Sequence, residues 1–407
     1  MIPLKSVFGD EASVLREPNF QLLVGASALG TLGTALLSPV LDSLTDPFGV
    51  SAVRIGLMMS AFMAPAMISI PITGLLSDLY GRKPVLTVGL LVFGIAGSAI
   101  ALTNTFEFAL ALRAIQGVGY AGTIPVAITS LGDLYHGERQ ATAQGLRIAG
   151  SGVSQTIFPI LAGATVLAMW QAPFLIYALA IPLAAVVALR FEEPPHESTK
   201  SDGGEGMTVR IRRLIGLLGR RRIHAMLLAH GLMYSVWVGF MTYNSVIVDE
   251  LLSGDPIAAG MLAAMMAVVF TVAATQVGKI SMYFDHRVTP LIGANVLLGV
   301  GFTTILFAPS VLIAVVGAGV LGSGIGIMSA LYRAVITELA PPQMRGSLVS
   351  FSEAKGHRTG DVAPVLVARP LDLPDLVGEH RRRVGIDVAA LVGFLGTAGA
   401  TARALEA

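Results

Sequence analysis

The chain has no cysteine, and only 13% of its 407 residues are charged. The missing thiols exclude disulfides, thiolate nucleophiles and Cys-ligated metal sites, and they say little about compartment. The charge content is about half of what a soluble globular domain carries. That deficit excludes an ordinary water-soluble fold. Net charge is +1, too small for the basic footprint of a nucleic-acid binder. Neither an H-E-x-x-H pair of zinc ligands nor a G-x-S-x-G nucleophile turn occurs. No enzyme, cofactor or metal site is therefore expected. No cleavable leader is visible. Asp10, Glu11, Arg16 and Glu17 precede a first apolar run long enough to stay as an anchor.

What is present is apolar: 54% of residues, with a mean hydropathy of +0.74. A membrane-spanning helix needs about 20 such residues, so the chain has room for about twelve. The runs fall near 20–41, 52–77, 84–103, 106–132, 140–167 and 172–189, then near 223–247, 256–279, 288–307, 310–334, 347–370 and 384–402. A polar stretch, 191–222, divides a bundle at 1–190 from one at 223–407. Its second part, Val209–Arg222, alternates cations with Ile and Leu and predicts an amphipathic connector at the inner surface. The fold expected is an all-α integral membrane protein with twelve transmembrane helices in two pseudo-symmetric six-helix bundles. With both termini inside, most of the 27 Lys and Arg lie in cytoplasmic segments. Arg54 and Arg381–Arg383 would lie outside, and five fall within the spans.

The halves read as degenerate copies. Gly74, Ser77, Asp78, Arg82 and Lys83 align with Gly278, Ser281, Met282, His286 and Arg287. Arg139, Gly150 and Pro159 align with Arg345, Gly356 and Pro364, which pairs Arg147 with Glu353. The eleventh run also holds Lys355, His357, Arg358, Asp361 and Arg369. Either its polar face lines an aqueous path, or the last quarter of the chain has drifted from a transporter pattern.

The stretch Gly74-Leu-Leu-Ser-Asp78-Leu-Tyr-Gly81-Arg82-Lys83-Pro84 between the second and third runs predicts a tight surface loop. Gly74 and Gly81 permit close approach and reversal. Arg82 and Lys83 favour the cytoplasmic side, and Asp78 needs a cation or a helix N-terminus. The stretch resembles the signature of the major facilitator superfamily, G-x-L-[S/A]-D-x-x-G-R-K/R, at every fixed position. The run Arg113-Ala-Ile-Gln116-Gly117-Val-Gly119 is similar to that superfamily's fourth-span motif. Span five carries Phe158-Pro159-Ile-Leu-Ala162-Gly163, a partial match to the G-P-x-x-G-G of its twelve-span drug:proton antiporters. The resemblance implies the major facilitator fold and alternating access, with efflux of a small amphipathic molecule driven by protons or Na+. It also implies a conformational gate at Gly74, Asp78, Gly81, Arg82 and Lys83, with Asp78 meeting the end of span eleven near Gly346–Ser350.

Buried charge is costly in a bilayer, so each such residue invites a role. Arg113, Gln116 and Tyr120 share one helical face, as do Arg147, Ser151, Ser154 and Gln155. Span seven offers His230, Tyr234, Trp237 and Asn244; span one offers Thr34, Ser38 and Asp42. Thr34, Ser38, Gln116, Tyr120, Arg147, Ser151, Gln155, Tyr234, Trp237 and Asn244 are the substrate-cavity candidates. Proton-coupling candidates are Arg113, Glu353, Asp361, His230 and Asp42. An arginine does not release a proton near neutral pH, so Arg113 could only tune an acid or hold an anion. Partners expected are a small-molecule substrate, the coupling ion and the lipid bilayer, for a monomer in the cell membrane. Two rivals stand: an importer of a small organic anion held by Arg113 and Arg147, and a non-transporting membrane scaffold.

Overall fold

A computed structural model describes residues 10–193, 221–282, 284 and 288–339. Every regular element among them is helical. They fall into two compact units. The first lies within residues 1–202 and takes in Asp255–Gly260; the second covers 221–254 and 261–339.

In the first unit, α1 (Pro18–Gly30) starts with proline at its first position, where no N–H is needed. The span then breaks. A short helix Leu32–Ala35 follows, then 3₁₀ turns at Ser38–Val40 and Asp42–Leu44. Pro39, which has no N–H, helps end the α-helical ladder there. Helix α2 (Leu57–Tyr80) and α3 (Arg82–Ala99) are separated by Gly81 alone. Its φ of 99° is one that side chains with a Cβ rarely adopt. The surface loop expected across residues 74–84 is therefore almost all helix, with one glycine making the reversal.

Helix α4 (Phe106–Ala121) ends at Gly122–Thr123, and α5 (Ile124–Leu134) restarts with Pro125. The single run expected at 106–132 is thus two helices, each shorter than a bilayer crossing. Helix α6 (Gly137–Val166) is long, and a four-residue helix at Ala172–Leu175 leads to α7 (Ala180–Arg190). Helix α4 packs on α2 and α3, α7 on α3, and α6 on α1. Gly117 sets the α2–α4 spacing: a Cβ there would stand 2.1 Å from the Phe62 carbonyl oxygen.

The second unit contains α8 (Arg221–Leu252), the rest of α9 (Pro256–Met282), α10 (Val288–Leu306) and α11 (Val311–Leu339). Helices α10 and α11 form its tightest pair. Among the described residues, seven helical segments are long and apolar enough to cross a membrane: Pro18–Val40, Leu57–Tyr80, Arg82–Leu102, Ala172–Arg190, Pro256–Val277, Thr289–Leu306 and Val311–Tyr332. The runs expected at 347–370 and 384–402 lie outside the described residues.

Candidate functional site

Two polar centres occupy the first unit. One surrounds the Gly81 turn. Asp78 and Arg82 lie one helical turn apart across Gly81 and pair at 2.6 Å. Arg82 Nε also reaches Asp133 Oδ2 at the end of α5, at 2.9 Å. Its other arm donates to the buried hydroxyl of Ser77, which donates to the Gly74 carbonyl at 2.8 Å. A guanidinium stays charged in proteins, so both carboxylates face a full positive charge. Asp78 is 63% exposed, which leaves part of its carboxylate open to a further donor. No described residue lies within 4 Å of where a Cβ on Gly74 would stand.

The carboxylate of Glu193 completes this centre. It accepts hydrogen bonds from the backbone N–H of Arg82 and, at 2.8 Å, of Lys83. Nearby, Tyr135 donates to Glu17 Oε2 at 2.7 Å, while Arg139 pairs with Glu17 Oε1 and lies 5.4 Å over the Tyr135 ring. Burial, then Glu17, push the Tyr135 phenol upward, so it remains a donor. Asn19 and Glu192 exchange two bonds of 3.0 Å between the Asn19 amide and the Glu192 backbone.

The second centre is Arg113, which is wholly buried. Its Nη2 donates to the Gly33 carbonyl at 2.7 Å, its Nε to the Met58 carbonyl at 3.2 Å, and its Nη1 to Gln116 Oε1 at 2.6 Å. Nη1 also lies 3.5 Å from the Tyr177 hydroxyl, and the Phe62 ring sits 4.5 Å from Cζ. Tyr177 in turn donates to the Leu32 carbonyl at 3.1 Å. The break in the first span thus presents two carbonyls, and Arg113 and Tyr177 hold them. Among the described residues no carboxylate pairs with Arg113. Edge-on aromatic contacts extend the centre from Tyr177 through Phe93 and Phe62 to Tyr120.

The remaining candidates are spread over both units. Ser38 and Gln116 are fully buried in the first, and Gln116 Nε2 and Ser151 Oγ find no partner among the described residues. Thr34 and Asp42 are half-buried in the broken first span. On α6, Arg147 donates to Gln144 at 3.0 Å, and Gln155, further along the same face, is half-buried. The Pro159–Gly163 segment of α6 packs against the first turn of α9, with Gly163 against Pro256 and Gly260 against Pro159. In the second unit the Tyr234 and Trp237 rings meet at a tilt with centroids 5.2 Å apart, and Asn244 is buried. Glu353, Asp361 and the side chain of His230 lie outside the described residues, as does 340–355, the expected contact of Asp78.

Several residues escape sequence reasoning. Asp133, an acid closing a span as Asp78 does, carried a signal of its own. Glu193 and Glu17 flank the spans and belong to no motif that marks them. Gly33 and Met58 contribute only backbone carbonyls, which composition does not reveal.

A family model described as "Major Facilitator Superfamily" matches residues 23–354. The bacillibactin exporter of Bacillus subtilis is 26% identical over 329 residues, 79% of this chain and 82% of that protein. Multidrug resistance protein 3 of the same organism is 31% identical over 154 residues, 37% of this chain and 30% of its own length. Among solved structures, a bacterial homologue of the human lysosomal transporter Spinster, inward-facing and occupied, matches with a TM-score of 0.74 at 16% identity, covering 96% of this chain and 97% of that one. A D-xylose-proton symporter matches with a TM-score of 0.69 at 13% identity, over 85% of this chain and 88% of the other.

Proposed function

The chain belongs to the Major Facilitator Superfamily, and on that premise we propose that this multi-pass membrane transporter exports small amphipathic molecules by proton-coupled antiport. It works by alternating access between two six-helix halves and has no enzymatic step. The observation that carries the export direction is the alignment over 82% of an exporter's length. The partial likeness to a multidrug resistance protein supports a permissive pocket. The tilted Tyr234–Trp237 pair offers such substrates an aromatic wall.

In this reading both termini are cytoplasmic, the bilayer is the cell membrane, and the Gly81 turn is the cytoplasmic gate. Asp78 is its latch: Arg82 and Asp133 orient it, and its exposed oxygens remain available to a partner helix. Arg113 acts by holding the broken first span, since each guanidinium nitrogen already has an acceptor inside its own unit. That engagement disfavours the anion importer, which needs Arg113 free for a carboxylate.

Purified protein in liposomes, loaded with amphipathic dyes and given an imposed pH gradient, tests the proposal. Uphill dye movement that stops when a protonophore collapses the gradient supports antiport. Gradient-independent uptake of organic anions supports the importer instead, and no flux of either kind leaves the scaffold.

A further inference from the structure

Four polar ties at the Gly81 end of the first unit form a closed circuit. Arg82 binds Asp133. Two residues along the chain, Tyr135 binds Glu17. Two residues further on, Asn19 pairs with the backbone of Glu192. The next residue, Glu193, returns to the backbone of Arg82 and Lys83. The circuit joins the segment before α1, the start of α3, the end of α5 and the exit of α7.

The last tie matters most because α3 begins badly on its own. Its first turn carries Arg82 and Lys83, contains no acid, and follows a glycine that has no side chain to cap it. Cations at a helix N-terminus oppose its dipole, and uncapped first-turn N–H groups lose stability. Glu193 supplies both missing items, an anion and two acceptors, from 110 residues away. It also lies at the head of the polar stretch, 191–222, that divides the halves.

We propose that Glu193 is a positioning residue for the gate: the exit of α7 caps the start of α3 and so holds Arg82 where it can orient Asp78. Displacing the connector uncaps α3 and loosens the Arg82–Asp78–Asp133 geometry. This role rests on the transporter reading for its consequence, but the cap itself does not.

The test compares the full-length protein with Glu193→Gln, which keeps one acceptor but sets an NH₂ against a backbone N–H. Glu193→Asp, one methylene short, replaces it if that variant fails to fold. Glu192→Gln is the control, because only the backbone of Glu192 takes part. Hydrogen exchange at the amides of residues 82 and 83 should quicken about fivefold in Glu193→Gln, the effect of losing a helix cap, and stay unchanged in the control. The maximal rate of gradient-driven dye flux should fall by about the same factor with KM held, since the pocket is untouched. In Glu193→Gln/Pro84→Glu, which places an acid inside the first turn, rate and protection should partly return. Unchanged exchange in Glu193→Gln overturns the cap, and quickened exchange with an unaltered flux overturns the positioning role. A wild-type protein without flux sinks the transporter reading, while the exchange measurement still decides the cap.

Discussion

Arg113 carries a charge that costs at least about 2.5–3.5 kcal/mol to place in a bilayer on insertion scales. The first unit offsets that cost with two carbonyls, an amide oxygen and an aromatic face. Arg113→Ala strips the Gly33 and Met58 carbonyls and the Gln116 amide of their donor together. It should cost about 1.5–3 kcal/mol, the range for losing hydrogen bonds to a charged group, read as a lowered midpoint of thermal unfolding in detergent. Arg113→Lys should recover little, because an ammonium cannot span the three acceptors as the planar fork does. Asp78→Asn should insert normally and transport slowly, since Arg82 loses a charged partner while the helices keep their packing. Wild-type rates in that variant count against a latch. The R-x-x-Q spacing made the Arg113–Gln116 contact legible in the sequence. The carbonyls of Gly33 and Met58 were not, because they belong to the backbone and only a break in span one exposes the first of them.

At the scale of elements, glycine positions separate packing from other uses. Gly117→Ala drives a methyl into the Phe62 carbonyl of α2, a clash between two backbones that neither can relieve by changing rotamer. Overpacking of this kind costs about 1–3 kcal/mol and should appear as a lower yield of folded protein. Gly74→Ala meets open space and should leave folding intact, with a slight gain from helix propensity. Arg54 and Glu107 form an ion pair at 2.7 Å whose side chains are 55% and 67% exposed. Glu107→Gln should therefore shift stability by less than about 1 kcal/mol. The helices of the first unit were largely legible from hydropathy, and the reversal at Gly81 from its glycine. The α4–α5 break was not, because the apolar run continues across Gly122–Thr123 while only the backbone changes course.

For the whole molecule, family and membrane class follow from a few residues around Gly81 and Arg113 together with the apolar composition. Neither names a cargo. Replacing the pH gradient with a Na+ gradient should give no uphill dye flux if protons are the coupling ion, and flux under Na+ alone would reassign it. Substrate specificity was illegible because it depends on which faces of several spans meet, whereas the signature depends on neighbours along one turn.

The setting of Arg113 also bears on how the protein is made. Translation makes the first two spans before the fourth, so the helices that carry the Gly33 and Met58 carbonyls are synthesised before the one that carries the guanidinium. Tyr177 is made after both and contacts the arginine and the Leu32 carbonyl at the break in the first span. Synthesis in that order would let each new helix find a polar partner among those already made.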